Sequence, residues 1–340
     1  MKFLISHFMK RIGLDLFILL LFFVILLAWI NPLPGSSQDL FSLHTLATWG
    51  VSAIFFFYGL RLDRKKIYHG ISDFRLHLLI QLTTFLLFPL LVLPFMSFFG
   101  HNADGNPDTL WLGIFFLAAL PSTVSSSVVM VNIARGNVTA AIFNASISSL
   151  LGVFLTPLWM HLWLFTSAEV PLTSILFSLI IQVIVPILAG MFLHHSLGWF
   201  AIKYDKTLKK MDQGIILLII YTSFCHSFSE NMFAGFTFLR LLTLIAGMLS
   251  LFLTIYTLIS FFCRLFHFKK KDRITALFCG SKKSLVHGTV MSRVILHDPS
   301  LAGILLMPTM IYHAMQLILI SVIASKMLSD TPYSDEISAE

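Results

Sequence analysis

Long apolar runs separated by short polar stretches, many of them basic, fill this sequence from end to end. A helix crossing a bilayer needs about 20 apolar residues. Ten candidate helices of that kind are centred on 14–30, 43–60, 76–99, 110–133, 138–163, 171–193, 213–229, 239–263, 274–295 and 301–325. Two of the runs are interrupted by polar residues. The fourth contains Pro121, Ser122, Thr123, Val124, Ser125, Ser126 and Ser127, and the ninth contains Phe278, Cys279, Gly280, Ser281, Lys282, Lys283 and Ser284. Lysine in hydrocarbon costs roughly 3 kcal/mol on insertion scales, so such residues face a cavity or a partner and mark a pathway. Glycine and serine weaken a helix, and non-helical backbone at membrane depth is tolerated only where protein or a water-filled cavity satisfies it. Both interruptions predict broken helices.

Ten spans divide into two halves of five, and an odd-numbered half places its duplicate upside down in the bilayer. Each interruption falls in the fourth span of its half. The predicted fold class is therefore an all-α membrane protein of ten transmembrane helices in two inverted five-helix repeats, with helices 4 and 9 discontinuous and meeting near the midplane, an architecture that builds many secondary transporters.

Composition agrees with this reading. Of the 340 residues, 57% are hydrophobic and 11% charged, against about 25% charged in a soluble domain. The 34 phenylalanines are lipid-facing and packing residues. A net charge of +7 and a pI near 9.4 raise the question of nucleic acid. The basic residues, however, lie in short runs beside apolar spans rather than along an aromatic-studded face, which excludes that partner class. They set orientation instead: 19 of the 23 fall on one side, in the groups Lys2 to Arg11, Arg61 to Arg75, Arg135, Lys203 to Lys210, Arg264 to Arg273 and Lys326. By the positive-inside rule both termini are cytoplasmic, and the loop from Gly100 to Thr109 is external. The first run is longer than a signal-peptide core and lacks a small-residue cleavage site, so it reads as a span. Cys225, Cys263 and Cys279 form no C-x-x-C pair, which indicates neither a disulfide framework nor zinc.

All sixteen acidic residues fall in loops, tails or span ends. Without a midplane carboxylate, a dehydrated divalent-cation site lacks its hard anionic ligands. No H-E-x-x-H or G-x-S-x-G occurs. The chain reads as neither an enzyme nor a cofactor protein.

The remaining polar residues inside spans are candidates for a solute or ion pathway. Ser125, Ser126 and Ser127 offer hydroxyls on several faces, for freed carbonyls or for a cavity. Asn144 and Ser148 are four apart and share a helical face that turns inward, toward span 4 or toward a substrate. Gln81, with Thr83 and Thr84 before Pro89, lies in span 3; Tyr312, His313 and Gln316 lie in span 10. A histidine titrates where a proton carrier needs to, although a lone one in a bundle is more often a hydrogen-bonded packing residue.

At these residues the sequence resembles the bile acid:sodium symporter superfamily, solute carrier family ten, over essentially its whole length. The features that carry the likeness are A-R-G-N at Ala134 to Asn137 with Thr156-Pro157, F-C-G-S-K-K-S in span 9, G-L-R-L at Gly59 to Leu62, S-S-S-V-V in span 4, and Y-H-x-x-Q at Tyr312 to Gln316. It looks most like the divergent branch of ten-span proteins typified by the seventh human member. The resemblance implies panel helices 1–2 within residues 1–70 and 6–7 within 166–233, and core helices 3–5 within 71–165 and 8–10 within 234–328. Residues 329–340 would form a cytoplasmic tail. Broken spans 4 and 9 would cross inside the core, and movement of core against panel would give alternating access.

The departures from that family change the expected chemistry. Sodium-coupled relatives have a glutamate opening the span 9 motif and a glutamine-asparagine after its glycine; here Phe278 and then Lys282 and Lys283 stand at the matching positions. Sodium bound beside them would meet like charge, at several kcal/mol in a low-dielectric site. The expectation is a secondary transporter of a small organic, anionic solute in a cell membrane, with Gly280, Ser281, Lys282, Lys283 and Ser284 at the site. One of the two lysines would face the cavity, either as a proton carrier or as a permanent stand-in for sodium, so sodium and proton coupling both remain open. A non-transporting regulator of calcium homeostasis or membrane traffic on a carrier scaffold is the alternative from a different class.

Overall fold

A computed structural model of the chain describes residues 16–36, 43–61, 73–100, 108–164, 177–178, 180–234, 236–296 and 299–329. Every regular element among them is helical. In chain order the helices are α1 (Leu16–Ile30), α2 (Leu43–Arg61), α3 (Phe74–Phe99), α4 (Thr109–Ala119), α5 (Ser125–Ile133), α6 (Val138–Leu164), α7 (Val185–Lys203), α8 (Asp205–Ser229), α9 (Phe238–Leu265), α10 (Lys270–Gly280), α11 (Leu285–Ile295) and α12 (Ala302–Ser329). Five continuous segments, Phe74–Phe99, Val138–His161, Ile180–Lys203, Phe238–Leu265 and Ala302–Met327, are long and apolar enough to cross a membrane. The fourth and ninth apolar runs are each divided into two shorter helices, α4 with α5 and α10 with α11. Basic residues used to infer orientation, among them Lys2, Lys10, Arg11, Arg64, Lys65 and Lys66, lie outside the described residues, as do the loop 101–107 and the tail from 330.

The continuous helices wear lipid-compatible exteriors. Phe98, Phe192, Ile202 and Phe238 are all largely exposed, as expected where hydrocarbon rather than water is the solvent.

Small residues decide how two of the helices meet. α2 lies against α7 so closely that a Cβ on Gly59 would stand 2.1 Å from the Ile187 carbonyl oxygen, and one on Gly190 would stand 2.2 Å from that of Phe56. Backbones of membrane helices approach this far only where side chains are absent. The same region is tied by an Arg61–Asp212 ion pair of 2.6 Å between α2 and α8, and by His194 Nδ1, which donates to the Leu60 carbonyl at 2.8 Å. Gly190→Ala is expected to destabilise the fold by about 1–3 kcal/mol, the usual cost of overpacking. Thermal unfolding in detergent reads this directly, and an unchanged midpoint would mean that the contact is loose.

α3 carries the local irregularity on which the site depends. Its turn Thr83–Leu87 widens to a π-helix, in which Phe88 N–H reaches back to the Thr83 carbonyl. The Thr84 carbonyl thereby loses its ordinary partner, and the residue five positions on is Pro89, which has no N–H. The same proline leaves the Phe85 carbonyl free, and Trp159 Nε1 takes it at 2.8 Å. Thr83 and Thr84 turn their hydroxyls back onto the Leu79 and Ile80 carbonyls at 2.7 and 2.8 Å. The Thr84 carbonyl remains available to another part of the chain.

Candidate functional site

The break between α4 and α5 follows from Pro121. A residue before proline is driven out of the helical region, and Leu120 accordingly has φ −67° and ψ 151°. The end of α4 then presents carbonyls that no helix can satisfy. Thr156 Oγ1, just before Pro157 in α6, donates to the Ala119 carbonyl at 2.8 Å. Ser148 Oγ accepts from Ser122 N–H at 2.9 Å. At the start of α5, Ser126 Oγ donates to Thr123 Oγ1 at 3.0 Å, and Thr123 Oγ1 and Ser127 Oγ lie 2.8 Å apart.

The second break packs against the first. Ser122 Oγ donates to the Cys279 carbonyl at 2.5 Å, Ser127 Oγ to that of Phe278 at 3.3 Å, and Ser284 N–H to that of Pro121 at 2.9 Å. Two other residues hold the stretch after Gly280. Tyr312 Oη donates to the Ser281 carbonyl at 2.8 Å, and the Gln316 amide clamps Lys283 from both sides, accepting its N–H and donating to its carbonyl, each at 2.8 Å. Ser281 Oγ turns back to the Leu277 carbonyl at 2.6 Å, and Ser284 Oγ caps α11 by accepting from His287 N–H. A broken membrane helix persists because neighbouring helices and hydroxyls satisfy its freed backbone.

The residues between the two half-helices are not helical, and this bears on how the two lysines are oriented. Neighbours on a helix point about 100° apart, which led to a single lysine facing the site. On non-helical backbone that spacing does not apply, and Lys282 and Lys283 are both wholly buried.

Lys283 enters the gap between α3 and α4. Its Nζ donates to the carbonyls of Thr84 at 2.7 Å, Ala118 at 2.7 Å and Leu120 at 2.8 Å, and stands 4.0 Å from the centre of the Phe88 ring. Carbonyl oxygens only accept, so three bonds require three hydrogens on the nitrogen, and the group is the ammonium. The partial negative charge at the C-terminus of α4 and the face of an aromatic ring both favour a cation here.

Lys282 has the opposite surroundings. Its Nζ finds no hydrogen-bond partner among the described residues. The Cys279 thiol and the His313 ring lie within Coulombic range of it. His313 Nδ1 sits 3.0 Å from Gln316 Nε2; that amide nitrogen can only donate, so Nδ1 is the accepting nitrogen and carries no proton. His287 Nε2, at the start of α11, is likewise buried with no partner among the described residues, and its ring meets that of Phe55 in α2 edge to face at 5.8 Å.

The other sequence candidates separate into two groups. Ser126, Ser127, Ser148, Gly280, Ser281, Ser284, Gln316 and His313 gather at the two breaks, whereas Gln81 and Asn144 pair with each other. Gln81 Nε2 donates to Asn144 Oδ1 at 3.2 Å and to its carbonyl at 3.1 Å, and Asn144 Nδ2 lies 2.8 Å from His77 Nδ1. The shared face of α6 is thus divided: Ser148 serves the first break and Asn144 serves α3. Ser125 opens α5, and its side chain lies outside the described residues.

Sequence reasoning passed over Ser122, Tyr312 as a donor, His287 and Arg293. Arg293 donates to Thr222 Oγ1 across the contact between α11 and α8, while its Nε is buried with no partner among the described residues. The sequence carried its signal, since Arg293 is one of the four basic residues outside the groups used to infer orientation. Both ion pairs among the described residues lie elsewhere, so the interior around the breaks holds cations without carboxylates.

The SBF-like CPA transporter family matches the chain over residues 15–329. An uncharacterized protein of Pseudomonas aeruginosa is 37% identical over 313 residues, covering 92% of each chain. The Escherichia coli protein YfeH, whose name carries a symporter designation, is 34% identical over 313 residues, again covering 92% of each. Sodium/bile acid cotransporter 7 of Xenopus tropicalis is 30% identical over 319 residues, covering 93% of this chain and 92% of the relative.

Proposed function

The chain belongs to the SBF-like CPA transporter family, within the bile acid:sodium symporter superfamily, and is a multi-pass membrane transporter rather than an enzyme; from that premise we propose that it carries a small organic anion by alternating access, with Lys283 in the place of a sodium ion. The observation that carries the reading is the Lys283 ammonium on the carbonyls of Thr84, Ala118 and Leu120. Backbone carbonyls at a helix end are the ligands a dehydrated alkali cation takes. A tethered ammonium meets the same oxygens at similar distance.

The anionic solute is supported by the charge balance around the breaks. Lys282, Lys283 and Arg293 are unmatched there by any ion pair among the described residues, and a buried cation is stable when something negative shares its site. The solute would lie beside Lys282 and His287, on the side facing α2. The full architecture proposed is ten spans in two inverted repeats. Spans 1, 2, 6 and 7 form a panel that the glycine contacts of α2 and α7 hold rigid, and spans 3–5 and 8–10 form the moving core. The chain would sit in the cell membrane with cytoplasmic termini; a reporter fused after Glu340 should be active only on the cytoplasmic side.

The decisive experiment compares sodium with choline. Wild-type protein in detergent is expected to show the same unfolding midpoint in both salts. Lys283→Ala vacates the carbonyls and should gain a sodium-specific rise, worth about 1.4 kcal/mol at tenfold over the dissociation constant. Sodium-specific stabilisation of the wild type, together with sodium-driven uptake of labelled organic anions into proteoliposomes, would sink the proposal.

A further inference from the structure

A groove at one end of the helix bundle is lined by none of the residues at the two breaks. It has a volume of about 510 Å³ and runs between the N-terminal turns of α4 and α9, with Ile304 of α12 on its floor. On α9 it is lined by Arg240, Thr243, Leu244, Gly247 and Met248. Eight residues of helix rise by about 12 Å, so the groove follows the helix axis rather than crossing it. Its chemistry changes along that length. Asp108, Thr109, Arg240 and Thr243 stand at the end of the bundle; Leu244, Gly247, Met248, Ile114 and Ile304 follow toward its middle.

The flanking surface identifies the solvent that fills the groove. Leu242, Ile245, Leu249 and Leu253 of α9 are exposed, and a helix with such a face in a membrane protein lies against acyl chains. Trp111, which stacks on Phe99 with ring centroids 5.8 Å apart, lines the groove near its polar end, the depth at which tryptophan settles in bilayers.

The polar end carries one charge of each sign. Asp108 Oδ1 caps α4 by accepting from Leu110 and Trp111 N–H at 2.9 and 3.1 Å, and its second oxygen has no partner among the described residues. No ion pair reaches the Arg240 guanidinium among those residues either. Gly247 leaves the middle of the groove open, with nothing within 4 Å of where its Cβ would stand.

We propose that this groove between α4 and α9 is a binding site for a zwitterionic phospholipid with a primary ammonium headgroup, of the phosphatidylethanolamine type. Arg240 takes the phosphate, Asp108 takes the ammonium through its unused oxygen, and one acyl chain lies over Gly247. A glycerol headgroup offers Asp108 hydroxyls but no cation, so the carboxylate charge stays uncompensated. A trimethylammonium headgroup has no N–H to offer it.

The full-length protein, delipidated in detergent, is titrated with phosphatidylethanolamine, phosphatidylglycerol and phosphatidylcholine, and the adducts are counted by native mass spectrometry. Phosphatidylethanolamine should bind best. Arg240→Ala should weaken it about fivefold to tenfold. Asp108→Asn preserves the helix cap and should erase the preference over phosphatidylglycerol. Gly247→Leu should reduce adducts of all three lipids. All three variants should keep the wild-type unfolding midpoint, since the positions are open or, at 108, conservatively replaced. Equal binding of the three lipids, insensitivity to Arg240→Ala and Gly247→Leu, or no adduct at all, each overturns the assignment.

Discussion

Lys283→Met is expected to lower the stability of the protein by about 3–5 kcal/mol in sodium-free buffer, the usual consequence of removing one partner from a buried charged network. Methionine matches the length and apolar stem of lysine but donates nothing. The carbonyls of Thr84, Ala118 and Leu120 would be left facing one another. Each buried acceptor without a donor costs about 1–3 kcal/mol. None can fall back on its own helix, because the π-turn and Pro89 withdraw the partner of Thr84, while Pro121 ends the helix of the other two. The loss should appear as a large fall in the unfolding midpoint, with Lys283→Arg recovering only part of it, since a planar guanidinium does not fit three converging oxygens. A midpoint unchanged by Lys283→Met would show that the ammonium does not hold the two breaks together.

Lys282→Met should have the opposite sign. Its Nζ is buried with no hydrogen-bond partner among the described residues, so truncation removes a desolvated polar group without orphaning another. Replacing such a group by an apolar one of similar volume is neutral or stabilising, by about 1–3 kcal/mol. Transport is expected to be lost nonetheless, because an unpaired cation in the proposed solute site has no structural reason to be there. The measurement pairs an unfolding midpoint with uptake in proteoliposomes. A stable Lys282→Met that transports normally would remove Lys282 from the mechanism; a variant as unstable as Lys283→Met would mean that both lysines are structural.

Different parts of this arrangement were visible in the sequence to different degrees. The two breaks were legible because proline, glycine, serine and lysine clustered inside an apolar run are costly in a continuous membrane helix and cheap where the helix stops. Which way each lysine points was not, since that depends on Ser281 to Ser284 leaving the helix, and the angle between neighbours changes when they do. The acceptors of Lys283 were hidden for a deeper reason: they are backbone carbonyls, which every residue has. Only the coincidence of two threonines with Pro89 hinted that α3 would release one. The partners of Asn144 were not legible, because a helical face says which residues lie together but not which neighbour they meet, and His77 stands on α3. Arg293 was hard to see because a single arginine near the end of an apolar run has the same appearance as a headgroup anchor.

The cation between α3 and α4 is joined to its own backbone by four methylene groups. An ion that can leave on one face of a membrane and be replaced from the other converts a difference in concentration into work; an ion on a tether returns to its starting place in every cycle and converts nothing. At this position, therefore, the sodium gradient has no purchase on the solute. Under the proposed role of Lys283, accumulation would rest on sodium bound at another position, on charge or protons moving with the cargo, or on exchange for a second anion travelling the other way. With none of these, it could only bring the two compartments to equal solute activity.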